Sequence, residues 1–250
     1  MEISSYLDRI GYRGPLTPTA ETLRALQVAH LQTVPFENLS IHAHQPIVLD
    51  DESLFDKVVV RRRGGFCYEL NGLFAALLRA LGFQVTMLSA EVASADGTFS
   101  PPFDHMALRV DLDERWLADV GFGDSFRDPL RLDERGEQPE PPRAFRIDED
   151  GAYLLLLRRD GPAEPWQPQF RFTLQPHEYA DYADMCHFHQ TSPESHFTRQ
   201  TVCSLATPDG RITLSGRKLI TTQGGERQER FLGSDAERAS VLRELFGVVV

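Results

Sequence analysis

RRRGGFCYELNGLFAALLRALGF, residues 61–83, decides how the chain is read. Leu70, Leu73, Phe74, Leu77, Leu78 and Leu81 recur at i, i+3, i+4 spacing, so the stretch predicts a buried helix starting near Cys67, with Gly82 as its C-cap. A cysteine at that start has two readings. Buried cysteines are mostly inert core thiols. A helix N-terminus, however, favours the thiolate, because unpaired N–H groups and the macrodipole favour negative charge there. Gly64 and Gly65 let the backbone turn sharply before it.

Upstream, Thr17-Pro18 predicts a helix start, with Leu23, Leu26, Val28 and Leu31 on its apolar side and Pro35 as its stop. A second helix is expected from Asp51, with Leu54, Phe55 and Val58 inward. Downstream the period changes. Residues 84–93 and 105–113 alternate apolar and polar, the strand pattern, and 113–123 reads as a turn and another strand. The Pro- and acid-rich stretch 132–145 reads as a solvated loop. Strands are expected at 152–159 and 169–174, and a short helix at 177–189. FTRQTVCSLAT and RITLSGRKLITT flank Pro208-Asp209-Gly210 as a hairpin. Ser234 and Glu237 form a capping box before the last helix, which Gly247 ends. Helices followed by strands and then mixed elements make the fold α+β.

Composition narrows the function. The 250 residues carry a net charge of −11 with a pI near 5.2, against the basic face of a nucleic-acid binder. No apolar run approaches the roughly 18 residues of a membrane span. The opening MEISSYLDRIGYRG reads as no signal peptide. Three cysteines, Cys67, Cys186 and Cys203, suit a reducing cytoplasm. Cys186, His187 and His189 lack the paired C-x-x-C of a zinc site, so no metal is expected. Only Lys57 and Lys218 stand against 24 arginines, a compositional bias.

A cysteine nucleophile needs a base, and the base an orienting acceptor. His105 opens a predicted strand and Asp119 precedes Gly121-Phe122-Gly123 in the next. Cys, His and Asp in this order are consistent with a triad; a capping histidine and a surface aspartate are the other reading. Strict hairpin register does not set His105 beside Asp119, so a bulge or strand curvature is expected.

PFENL (35–39), RRGGFCYELNGLF (62–74), HMALRV (105–110) and DVGFG (119–123), in this order and spacing, resemble the arylamine N-acetyltransferase family. The likeness runs over almost the whole chain and loosens in the last third. It implies an N-terminal helical bundle (1–83), a central antiparallel β-barrel (84–190) and a C-terminal α/β lid (191–250) around a cysteine-protease-like Cys-His-Asp core. It implies that Cys67 is the nucleophile, His105 the base and Asp119 its orienter. Acetyl-CoA would acetylate Cys67, and an arylamine or arylhydrazine would take the acetyl group in a ping-pong cycle. Phe36, Phe122 and Phe126 would wall the acceptor site. Coenzyme A and the acceptor are the implied partners, with no nucleic acid, metal or membrane, in a monomer or homodimer. Arg61 and Arg62 read either as a basic patch for coenzyme A or as a solvated helix face. Arg63 is expected to bridge to Glu37, aided by Asn38. A Cys-His-Asp amide hydrolase or transglutaminase-like acyltransferase is the alternative, and an inactive binding module of the same fold a further one.

Overall fold

The computed structural model describes residues 2–249. Two short helices begin it: α1 (Ile3–Ile10), ended by Gly11 in the left-handed region, and α2 (Ala20–Thr33). The side chain of Thr19 accepts from the Thr22 N–H, so α2 starts just after the predicted Thr17-Pro18. β1 (Phe36–Glu37) and α3 (Leu39–His42) follow. α4 (Asp51–Phe55) is capped by Asp50 and runs into a π-helical turn, Asp56–Val60. α5 (Cys67–Ala80) is buried on all sides from Cys67 to Leu78, which makes it the central helix of the chain.

Eight antiparallel strands come next: β2 (Gln84–Val92), β3 (His105–Asp111), β4 (Arg115–Ala118), β5 (Leu130–Arg131), β6 (Gln138–Glu140), β7 (Arg143–Asp150), β8 (Tyr153–Arg159) and β9 (Gln167–Phe172). Their spatial order is β5-β4-β3-β2-β9-β8-β7-β6. The two edges are joined by one side chain. The Arg131 N–H donates to Gln138 Oε1 at 2.8 Å, and Gln138 Nε2 donates to the Arg131 carbonyl at 3.0 Å. The sheet is thereby a nearly closed barrel. Its interior holds Leu88, Ala107, Leu117, Phe126, Phe145 and Phe170. The other face of β3, with Met106, Leu108 and Val110, packs with α5 residues in the helical core. β3 is therefore covered on both sides, with Ala107 facing the barrel and its neighbours facing the helix.

The stretch 132–145 is not all loop, because β6 and the start of β7 lie in it. Edge strands tolerate Pro and charge, which hid the pairing from a hydrophobic pattern. The sequence reading carries the barrel to residue 190, but its last strand ends at Phe172. Residues 179–191 form a 3₁₀ turn (Tyr179–Tyr182) and α6 (Ala183–Thr191), and Tyr182 and Cys186 join the helical core.

After α7 (His196–Arg199), strands β10 (Val202–Thr207), β11 (Gly210–Ser215), β12 (Lys218–Gln223) and β13 (Glu226–Phe231) form a meander. α8 (Asp235–Phe246) covers one face. The predicted hairpin around Pro208-Asp209 is present as β10 and β11. Gly216, at φ 60°, splits off β12, and the fully exposed β13 was hidden by its charge. β1 joins this sheet beside β10 and also meets the turn before α5: the Glu37 N–H donates to the Gly65 carbonyl at 2.8 Å. PFENL thus ties the five-stranded sheet to the Cys67 turn.

Candidate active site

Cys67 is the first residue of α5, and several contacts hold that helix start. Glu69 Oε2 accepts from the Phe66 N–H at 3.1 Å, while Glu69 Oε1 accepts from Lys57 Nζ at 2.6 Å. Both side chains are buried. One of the two lysines therefore secures the helix under Cys67, a role composition could not reveal. Gly64 and Gly65 fit for steric reasons. A Cβ on Gly64 would lie 1.9 Å from the Pro35 carbonyl oxygen, and one on Gly65 would lie 2.7 Å from Glu69 Oε2. Arg63 Nε donates to Glu37 Oε1 at 3.0 Å. Asn38 does not assist this pair. Its side chain donates to the Phe197 and Gln200 carbonyls and accepts from the Val202 N–H, so it clamps the α7–β10 connection instead.

His105 and Asp119 meet without a bulge. β3 and β4 pair regularly, with Leu108 opposite Ala118 and Val110 opposite Trp116. Continued by one step, that register sets Ala107 opposite Asp119, so His105 and Asp119 are diagonal neighbours on one face. Long side chains reach across such a diagonal. His105 Nε2 lies 2.7 Å from Asp119 Oδ2, and both residues are buried. β4 stops at Ala118, short of the predicted strand end. Beyond it the backbone donors turn to side chains: Asp119 N–H to Gln27 Oε1, Val120 N–H to Asn71 Oδ1, and Gly121 N–H to Asp119 Oδ1. Asn71 Nδ2 also donates to Asp119 Oδ1 at 2.8 Å. Asn71 lies one turn beyond Cys67 on α5, so the RGGFCYELN stretch itself holds the aspartate. A Cβ on Gly121 would lie 2.8 Å from Cys67 Cα, which packs DVGFG directly on the helix start.

Cys67 and His105 line one cavity of about 560 Å³, with Phe36, Phe122 and Phe197 among its aromatic walls. Phe122 stands edge-on to the His105 ring at 5.1 Å between centroids. Phe126 does not line it. That ring is buried in the barrel interior against Phe145. Arg61 and Arg62 are exposed and also lie outside the cavity lining.

Burial pushes the Cys67 thiol up, and the Asp104 carboxylate beside it adds to the rise; a hydrogen bond with the Met106 backbone works the other way. Burial also pushes Asp104 up as the largest single cause, but His189, Ser100 and His196 together hold the carboxyl below its ordinary value. Cys186 and Cys203 are likewise pushed up by burial, Cys186 to about 12, and neither lines the cavity. Of the trio Cys186, His187 and His189, the middle residue points outward and the other two are buried. The sequence reading names His189 only within the trio set aside as a zinc site and does not name Asp104, whose one signal is its place next to His105.

A family model described as N-acetyltransferase matches residues 19–250. Human arylamine N-acetyltransferase 1 is 35% identical over 273 residues, covering 99% of this chain and 94% of its own. The arylamine N-acetyltransferase of Escherichia coli (strain K12) is 34% identical, covering 99% and 89%. Among solved structures, arylamine N-acetyltransferase from M. tuberculosis superposes with a TM-score of 0.91 at 33% identity, covering 99% of this chain and 94% of that one. The Mycobacterium marinum arylamine N-acetyltransferase in complex with CoA gives 0.91 at 33%, covering 99% and 93%.

Proposed function

This chain belongs to the arylamine N-acetyltransferase family, and on that premise we propose that it moves an acetyl group from acetyl-CoA to an arylamine or arylhydrazine through an acetyl-Cys67 intermediate. The observation that carries this reading is one cavity holding both Cys67 and His105, the latter bonded at 2.7 Å to buried Asp119.

With Asp119 on Nε2, the His105 Nδ1 is the ring nitrogen left to exchange a proton with the thiol. An isolated thiolate is costly at this depth, but a thiolate paired with an imidazolium is not isolated. Asp119 orients and stabilises the imidazolium, and Asn71 and the Gly121 N–H hold Asp119 in place. The thiolate attacks the thioester carbonyl, and the Cys67 N–H at the helix start is one donor for the oxyanion. The imidazolium then protonates the departing CoA thiolate. In the second half-reaction the amine nitrogen attacks the acetyl-cysteine, His105 takes its proton, and Cys67 leaves as the thiolate. Phe36 and Phe122 provide flat apolar walls for an aromatic acceptor, and Phe126 supports the barrel behind them. No step needs a metal. The relative crystallised with CoA supports a thioester donor over the amide of a hydrolase or transglutaminase-like enzyme. A reducing cytoplasm suits the three free thiols.

The test is intact mass after mixing with acetyl-CoA alone, without acceptor. One acetyl adduct is expected on the wild type, on Cys186→Ala and on Cys203→Ala, and none on Cys67→Ala. An adduct that survives in Cys67→Ala sinks the mechanism.

A further inference from the structure

One wall of the cavity does not suit an aromatic ring. β10 and β11 pair with Ser204 opposite Thr213 and Val202 opposite Ser215. Strand alternation turns Cys203 and Leu214 onto α8, while Arg211, Thr213 and Ser215 face the cavity. This wall presents donors. Arg211 Nε donates to Asp124 Oδ1 at 3.2 Å and Nη1 to Ser204 Oγ at 3.0 Å. Among the described residues Nη2 has no protein acceptor. Ser204 and Thr213 share a 2.7 Å hydroxyl bond. With Ser204 accepting from Arg211 and donating to Thr213, the Thr213 hydrogen stays free. Ser215 accepts from Gln200 Nε2 at 2.7 Å and likewise keeps its own hydrogen. The carboxylate on this wall, Asp124, is shared by three guanidiniums: Arg143, Arg158 and Arg211.

This row of donors shares the cavity with Phe122, with Cys67 and with Phe36, which pairs beside Ser204 in the same sheet. An apolar ring gains nothing from it, whereas an oxyanion satisfies a guanidinium edge and two hydroxyls at once. We propose that Arg211, with Thr213 and Ser215, is an oxyanion subsite on the lid side of the cavity, where a carboxylate or phosphate of a ligand docks while its reacting end lies at Cys67. The inference rests on the transferase reading for what reacts there, but not for the binding itself. Two sources fit: the carboxylate of an acidic arylamine, or a phosphate of the acyl donor.

Isothermal titration of the full chain with benzoate and with inorganic pyrophosphate, neither of which reacts, separates them. The wild type is expected to bind at least one, and Arg211→Gln to weaken that binding about tenfold or more. Loss of benzoate identifies the carboxylate source; loss of pyrophosphate identifies the phosphate. The kinetic counterpart compares 4-aminobenzoate with its neutral ethyl ester, and acetyl-CoA with p-nitrophenyl acetate. In Arg211→Gln a loss confined to the charged member of a pair, and carried by KM, is expected. Thr213→Val, which leaves the Asp124 cluster intact, should weaken the same anion by a smaller factor, and it decides the matter if Arg211→Gln does not fold. No binding of either anion to the wild type, or binding unchanged in the variants, overturns the subsite; so does an equal loss for charged and neutral ligands. A chain that binds the anion but never acetylates Cys67 overturns the transferase reading alone.

Discussion

Arg63 and Glu37 form a buried ion pair, with Arg63 Nε and Nη2 at 3.0 and 2.8 Å from the same carboxylate oxygen. The second oxygen of Glu37 accepts from the Leu39 N–H at 2.7 Å. The pair joins the turn before Cys67 to β1, the edge strand of the five-stranded sheet. Breaking it by Arg63→Ala should cost about 3–5 kcal/mol, because buried Glu37 loses its partner. Arg63→Lys should recover only part of that, since a point charge does not reproduce the planar fork. Arg62→Lys, at an exposed position, should change stability by less than about 1 kcal/mol. Urea unfolding of the three variants measures this, and equal small losses would remove Arg63 as a structural clasp.

The electrostatics of Cys67 can be separated by two substitutions. Asp119→Asn should slow iodoacetamide alkylation and acetylation of Cys67 by orders of magnitude, because the imidazole loses its tautomer lock. Asp104→Asn should act in the opposite sense. Burial raises the thiol first, but the Asp104 carboxylate raises it further, so removing that charge should move the alkylation profile to lower pH. A profile unmoved in both variants would leave neither aspartate in contact with the thiol's charge.

His30 sets an acid limb. It is buried on α2 between Tyr6 and Phe74, and among the described residues neither ring nitrogen has a partner. Burial, with Arg9 adding, lowers it from 6.5 to about 3. The unfolded chain therefore binds a proton below pH 6.5 that the folded chain refuses. The stability that His30 contributes is full above 6.5 and is lost as pH falls toward 3, at about 1.4 kcal/mol per pH unit. Between pH 7 and 5 the loss should be about 2 kcal/mol. His30→Phe should flatten the slope over that interval in denaturant titrations; a slope identical to wild type would mean that His30 is already solvated.

Gly121 should be the least replaceable glycine of DVGFG. Gly121→Ala puts a methyl against the Cys67 backbone and should cost about 1–3 kcal/mol, together with most of the rate of Cys67 acetylation. Gly161→Ala, where the new Cβ would meet Glu164 Cγ at an ordinary 3.7 Å, should do neither. Single-turnover acetylation and melting temperature, read on both variants, distinguish a displaced Cys67 from a general loss of fold.

What could be read along the chain was local. The helix that begins at Cys67, the Ser234 cap with Glu237, the β10–β11 hairpin and the change from helical to strand periodicity all depend on residues within a few positions of one another. The order of PFENL, RGGFCYELN and DVGFG carried the family, and with it the expectation of which residues react. Charged or Pro-bearing edge strands, β6 and β13, escaped because an edge strand needs no hydrophobic alternation. Everything that depended on pleat and packing waited for the tertiary structure. The diagonal that brings His105 to Asp119 follows from strand register, and Gln27 reaches Asp119 across 92 residues of chain. Asn38 turned from Arg63 to the α7–β10 connection, and Phe126 turned into the barrel, because a side chain's direction is set by what its element packs against. The donors of Arg211, Thr213 and Ser215 share one cavity wall only because alternate residues of a paired strand face the same way, and which face meets the cavity is decided by α8 covering the other.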